Sequence, residues 1–397
     1  MTSGNKLIVT ALAEDRLVWR EAVNALRRAG YMVEPRKEET LSSGNLARML
    51  ALPPERSGLD KHPDLFFSIN FHGLDKFGEN VAVLRGKGIP VAVWCVDNPW
   101  NLLSGLRTDF WKELFLFVTD PGFIPGLVAH GARRAFFLPL ATDPGIFCPG
   151  GPSRHGATQH GSEGAPLAFV GRSAFPDKER FFVGQHVPEG LLEEAKSRLR
   201  AGKRADFFWW LKALERESAV TPLWPGSAAR RASLGAEESS LAWRAACLHE
   251  AASVGLTMYG DAGWAEHFPP DDACGSAPKL CPPLDYYTQL PAVYANAPFS
   301  LNLMSFLLPH GLNQRHFDVW AAGGFCLMDD CPGLDLFPPE LTRPVMFGKP
   351  TDIPERVAYF EKNSEEKHRL AAAWREHILR EHTYAVRMRE MMRILFE

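Results

Sequence analysis

Polar chemistry is densest in the run PHGLNQRHFDVWAAGG, Pro309 to Gly324. Arg315 carries a permanent charge suited to phosphate or carboxylate oxygens. Asp318 lies three residues on, so a helix places both on one face. The spacing predicts a helix from about Asn313, following the loop FLLPHGLNQ and the strand pattern FSLNLMS. A helix start after a strand offers free N–H groups and a positive dipole end to an anion such as a phosphate. The Asp318 carboxylate suits hydroxyls, such as a ribose diol. Ala321, Ala322, Gly323 and Gly324 let the helix pack closely and then stop. A second reading of the same residues is an amphipathic helix with a polar start and an internal Arg–Asp pair. Residue chemistry alone leaves both readings standing.

The run FVGRSAFPDK supplies a second constellation. Gly171 ends a strand pattern and permits close backbone approach, and Arg172 and Lys178 can meet phosphate oxygens. Gly260, ending the strand pattern LTMYG, is grouped with them. Earlier, FSINFHGLD sets Asn70, His72 and Asp75 just past a strand, and VWCVDNPW does the same for Asp97, Asn98 and Trp100. His72 or Asp97 can take a proton from an acceptor hydroxyl. The turn-forming character of Asp97-Asn98-Pro99 is the plainer reading of that loop.

These residues need a frame. KLIVTAL (6–12), YMVEP, DLFFSIN (64–70), PVAVWCVDN (90–98), LFLFVTD (114–120) and RAFFLPLA (134–141) are short apolar runs separated by helical or loop patterns. DRLVWREAVNALRRAG has helical spacing and a Gly30 stop. This alternation predicts a parallel sheet covered on both faces. Residues 146–165, rich in Gly, Pro, Ser and His, read as a linker in which His155 and His160 are incidental. The alternation restarts with PLAFVG, then a helical insert over about 178–253, interrupted near 221–227. LTMYG, LDYYTQLPAVYANA, FSLNLMS, NQRHFDVWAAGG, FCLMDD and PVMFGK follow as strand, helix, strand, helix, strand and strand. The expected organisation is a doubly wound domain over 1–145, a second over 166–363, and C-terminal helices over 364–397. Tandem sheets of this kind bind ligands beyond the carboxyl ends of their strands, in a cleft between domains.

The segment 302–326 resembles the nucleotide-sugar signature of retaining group-1 glycosyltransferases. In that family a Glu, a Gly-rich turn and a second Glu eight residues after the first precede a small-residue run. Here His310, Gly311, Leu312, Asn313 and Asp318 hold those places, ahead of Ala321 and Gly323. LNLMSFLLPHGLNQRHFDVWAAGGFCLMDDCPGLDLF is similar to the CgeB-like, spore-maturation-type branch, with LPLATDPGIFCP and VWCVDNPW as supporting likenesses. The resemblance implies an α/β GT-B fold, two Rossmann-like domains with a C-terminal helical tail packing back on the first. It implies a glycosyltransferase of the hexosyltransferase type, with a nucleotide-diphospho-sugar donor in the second domain and an acceptor protein or glycan in the first. Asp318 would hold the donor ribose, His310 the donor sugar, and Gly171, Arg172, Lys178, Gly260 and Arg315 the diphosphate region. His310 replaces a carboxylate and Asp318 is one methylene short of Glu. Two alternatives stand beside it: a GT-B nucleotide-sugar epimerase or hydrolase, and a non-catalytic nucleotide-sugar-binding protein, which those departures support.

Bulk properties narrow the class. The 397 residues carry 44 basic and 47 acidic side chains, net −3, which argues against a broad nucleic-acid surface. The seven cysteines include no CxxC pair, so no metal or cofactor beyond the donor substrate is expected. No apolar run reaches the length of a membrane span, and MTSGNKLIVTALAED lacks the pattern of a signal peptide. The expected setting is cytoplasmic. Basic residues in the tail leave peripheral membrane association open, but interleaved acidic residues favour a packed helix.

Overall fold

The computed structural model describes residues 6–14, 16–53, 59, 61–150, 165–217, 226–268 and 277–397. Most of the expected linker, with His155 and His160, lies outside the described residues, as does Cys274. The chain divides into two compact units, Met1–Leu140 with Tyr384–Glu397, and Ala141–Thr383.

The first unit holds six parallel strands: β1 (Leu7–Ala11), β2 (Met32–Arg36), β3 (Leu65–Ile69), β4 (Val91–Cys95), β5 (Phe115–Val118) and β6 (Arg134–Phe137). Their order is β2-β1-β3-β4-β5-β6. LIVTA, LFFSI and VAVWC are buried throughout, as expected of strands covered on both faces. The helix Trp19–Arg28 buries Ala22, Val23 and Leu26 and packs against the last helix, Tyr384–Phe396. That helix is fastened within the unit. Arg387 donates from Nε to the Pro139 carbonyl at 3.0 Å, and Met388 and Met391 are fully buried.

The second unit holds β7 (Leu167–Val170), β8 (Leu256–Tyr259), β9 (Lys279–Cys281), β10 (Phe299–Asn302), β11 (Cys326–Asp329) and β12 (Met346–Phe347). The order β12-β11-β10-β7-β8-β9 is parallel throughout. Crossovers run one way from β7 and the other way from β10. The carboxyl ends of these two neighbours are therefore the topological switch point, where doubly wound sheets take ligands.

Several local expectations differ from the structure. Among the described residues the β7-to-β8 crossover holds four helices, Lys178–Phe181, Glu189–Arg200, Phe207–Glu217 and Gly226–Ala252, with Gly184 and Gly202 at positive φ between the first three; most of the expected interruption near 221–227 lies outside the described residues. In LDYYTQLPAVYANA the helix is confined to Leu290–Asn296. Asp285 Oδ1 instead accepts from the amides of Tyr287 and Thr288, at 3.1 and 2.8 Å, and forms a turn. β9 went unread because its two exposed residues and edge position give little apolar signal. The tail is split. Ser364–Glu381 stays in the second unit, where Trp374 stacks on Trp320 at 4.8 Å, and Tyr384–Phe396 alone joins the first.

Candidate donor site at the switch point

The helix of the opening motif runs from Arg315 to Ala321, two residues later than expected. Its first amides are already engaged. Asn313 Oδ1 accepts from Arg315 N at 3.1 Å, and the carbonyls of Asn313 and Gln314 accept from His316 N and Phe317 N. The expectation of free N–H groups for a phosphate is corrected on this point. Asn313 precedes the N-cap Gln314 and closes the turn into the helix, tied also through Nδ2 to Asn302 Oδ1 at 2.9 Å.

Arg315 spans the switch point. Nε donates to Asn302 Oδ1 at 2.8 Å, Nη2 to the Leu303 carbonyl at 3.4 Å, and Nη1 to the Val170 carbonyl. Its charge thus joins the carboxyl ends of β7 and β10, and its remaining N–H groups are what it can offer an anion. Beneath it, His316 is fully buried. Nδ1 lies 3.0 Å from Asn302 Nδ2 and accepts from Asn313 N at 3.2 Å. Accepting at Nδ1 puts the ring hydrogen on Nε2, a buried atom with no partner among the described residues. Burial, reinforced by the Arg315 charge, lowers the imidazole pKa to about 3, so the ring stays neutral.

The loop leaving β7 is held by its carbonyls. Val170 O takes Arg315, Gly171 O takes Trp264 Nε1 at 2.9 Å, and Arg172 O and Ser173 O take Arg244 Nη1 and Nη2 at 2.6 and 3.3 Å. Two carboxylates hold neighbouring amides. Asp261 accepts from Ser173 N at 3.0 Å and Ser173 Oγ at 2.5 Å, and Glu237 accepts from Phe175 N at 2.9 Å. Burial pushes the Asp261 carboxyl up, but these bonds outweigh it and hold it below the usual range. Glu237 is more deeply buried, and burial raises its pKa against the pull of Arg244.

The Arg172 guanidinium is exposed and has no partner among the described residues; the amides of Arg172 and Ala174 have none either. These are the donors the loop presents. Lys178 is paired with Glu238 at 2.6 Å, so its charge is already neutralised locally. Gly171 and Gly260 are explained by chain packing. A Cβ on Gly260 would lie 2.4 Å from the Gly171 carbonyl, and one on Gly171 2.8 Å from the Phe169 ring.

Asp318 is fully buried and accepts from the Tyr286 hydroxyl at 2.7 Å. The Tyr286 ring lies edge-on to Phe147, 5.2 Å between centroids. Leu312 is a core residue. His310 is half-buried, its ring 5.8 Å from that of Phe208. Gly333 closes on the carbonyls of His310 and Gly311, both 2.7 Å from where its Cβ would be.

In the first unit, Asn70 and Phe71 follow β3 with positive φ of 53° and 62°, the sparsely populated backbone that tends to mark functional loops. Asn70 Nδ2 donates to Asp97 Oδ2 at 2.7 Å, which orients an otherwise exposed carboxylate after β4. His72 Nε2 lies 3.3 Å from the Leu12 carbonyl. It donates there, which leaves the Nδ1 lone pair as the basic site of the neutral ring. Asp75 and Asn98 are helix caps. Asp75 accepts from Asn80 N at 2.8 Å and Asn98 from Trp100 N at 2.9 Å.

Sequence reasoning missed Arg244, Glu237, Asp261, Trp264 and Tyr286. Arg244 and Glu237 sit in a long helix of ordinary composition, and no local pattern marks the turn of the helix that meets the β7 loop. Asp261 carried a signal: an Asp straight after a strand-ending Gly.

Residues 243–393 match the family described as glycosyl transferase-like. No curated protein matches the chain significantly. Among solved structures, Anabaena HepE in complex with UDP-glucose is 9% identical with a TM-score of 0.55, covering 98% of this chain and 99% of that one. The alpha,alpha-trehalose 6-phosphate synthase of Burkholderia multivorans is 11% identical with a TM-score of 0.51, covering 98% of both chains. The UDP-forming alpha,alpha-trehalose-phosphate synthase of Burkholderia xenovorans is 10% identical with a TM-score of 0.50, again over 98% of both. Identities this low speak for the fold alone, and the fold is GT-B: two six-stranded parallel sheets with a helical C-terminal tail.

Proposed function

We propose that the chain is a glycosyltransferase, of the CgeB-like branch and hexosyltransferase type, that takes a nucleotide-diphospho-sugar at the carboxyl ends of β7 and β10. One observation carries the reading. At the switch point the β7 loop is pinned by its carbonyls while the Arg172 guanidinium has no partner among the described residues, with Arg315 and Arg244 holding the same loop. Fixed positive charge at that edge would stabilise a departing nucleoside diphosphate as the glycosidic bond breaks. The match of 243–393 to the glycosyl transferase-like family, and the likeness to HepE, itself solved with UDP-glucose, support it.

In this reading Arg172 is the principal diphosphate contact and Arg315 adds charge and its remaining N–H groups. Asp318 holds the ribose, which requires its carboxylate to exchange the Tyr286 hydroxyl for a ribose hydroxyl. His310 contacts the donor sugar. The first unit takes the acceptor, a protein or glycan, and His72 through Nδ1 or Asp97 serves as base if the anomeric configuration is inverted. In this reading the charge for the leaving group comes from arginines. None of the described helices is long and apolar enough to cross a membrane.

The test is a thermal-shift panel of UDP, GDP, ADP and TDP with the corresponding nucleotide sugars, followed by donor turnover with and without candidate acceptors. The reading expects at least one nucleoside diphosphate to stabilise the protein and turnover to depend on acceptor. No stabilisation by any of them would remove the donor site. Full turnover without acceptor would replace transfer by hydrolysis or epimerisation.

A further inference from the structure

Away from the switch point, the second unit carries a hollow of about 390 Å³ over the long helix Gly226–Ala252. One wall is the helix Glu189–Arg200, and the other is the turn Lys349–Thr351 ahead of the helix Asp352–Lys362. Both walls pack on the long helix. The floor is apolar, built from Leu199, Ala242, Trp243 and Ala246, with Pro350 at the side. Its charged lining is of one sign: Lys196, Arg200 and Lys349, with no carboxylate among the lining residues.

The cations differ in their availability. Lys196 is paired with Glu193 at 2.7 Å. Arg200 is exposed and makes no hydrogen bond or ion pair among the described residues, although its charge acts on Glu193 together with that of Lys196; the exposed Lys349 ammonium has no partner among them. Lys196 and Arg200 are four apart on one helix and so share a face. Two neighbouring hollows, of about 400 and 320 Å³, share Leu199 with it, and their linings add the carboxylates Asp330, Asp335 and Glu238. An apolar floor of ligand size with a few convergent charges is the usual make-up of a small-molecule site.

We propose that this groove binds an anionic amphiphile. Its apolar body would lie along Leu199, Ala242 and Ala246, and its phosphate or carboxylate head would meet Arg200 and Lys349. Apolar contact supplies affinity along the floor, and the two exposed cations select the sign of the head group. The groove involves none of the residues assigned to the donor, so this inference stands independently of the transferase reading.

Isothermal titration calorimetry with octyl phosphate below its micellar concentration tests it, with inorganic phosphate and octyl glucoside as the other arms. Octyl phosphate is expected to bind saturably, and about ten-fold more tightly than either arm. The double variant Arg200→Glu/Lys349→Glu is expected to abolish the difference between octyl phosphate and octyl glucoside. Ala246→Gln, at an exposed helix position, fills the floor without adding charge, and is expected to weaken octyl phosphate binding. Equal binding of octyl glucoside, equal binding of inorganic phosphate, or unchanged binding in both variants would overturn the proposal.

Discussion

Arg244 donates from Nη1 to the carbonyl of Arg172 at 2.6 Å, and from Nη2 to Glu237 Oε1 at 3.3 Å. One buried guanidinium therefore fixes the backbone of the exposed arginine and neutralises a buried carboxylate. Breaking such a pair from one side leaves a charge without compensation. Arg244→Ala is expected to cost about 3 kcal/mol in urea unfolding. The double variant Arg244→Ala/Glu237→Gln is expected to recover a substantial part of that loss. Additive losses would show that the two side chains do not act as a pair.

Gly260 and Gly171 meet backbone to backbone at the ends of β8 and β7. A methyl on Gly260 has to displace the Gly171 carbonyl or the Trp264 ring. Gly260→Ala is expected to destabilise the protein by about 1–3 kcal/mol, as overpacking of a close contact does. A neutral effect on Tm would mean that the two strand ends part readily.

The neutral, buried His316 gives a pH signature. Its folded pKa of about 3 lies below the ordinary value of 6.5. Its contribution to stability is therefore complete above pH 6.5 and declines as pH falls from there toward 3, because the unfolded chain binds the proton first. The slope from this group is about 1.4 kcal/mol per pH unit within that window. His316→Asn keeps an acceptor near Asn302 and Asn313 and removes the titration. Unfolding curves at pH 7.5, 6 and 5 are expected to show a smaller acid loss for the variant, and equal slopes would contradict the assignment.

Asp318 and Tyr286 separate a ribose contact from a purely internal bond. If Asp318 meets the donor, Asp318→Asn is expected to weaken nucleoside diphosphate binding about ten-fold, as loss of a charge-assisted hydrogen bond does. Tyr286→Phe, which removes the competing hydroxyl, is expected to leave binding intact or tighten it. Parallel losses in both variants would make Asp318 a support for Tyr286 alone.

The sheets were legible because doubly covered strands such as VAVWC and LFFSI are continuous apolar runs that little else explains. The motif around Arg315 was legible as a place, since its polar density falls directly after a strand. Its roles were less so. Sequence spacing cannot tell an arginine that binds a ligand from one that binds strand ends, and Arg315 donates to two main-chain carbonyls there and to the Asn302 side chain. Arg172 and Lys178 read alike in sequence, yet Glu238, sixty residues on, pairs with Lys178 and leaves Arg172 open. Arg244 was invisible because it holds the β7 loop through the main-chain oxygens of Arg172 and Ser173, which no pattern of side chains announces.

The central claim is that Arg172 and the loop that carries it receive the diphosphate of a nucleotide donor. The most direct measurement is the affinity of wild type and Arg172→Ala for UDP and for uridine, or for whichever nucleoside diphosphate stabilises the protein and its nucleoside. The account predicts that the variant loses about ten-fold or more in diphosphate affinity, with little change for the nucleoside. Equal losses for both ligands, or none for either, would contradict it.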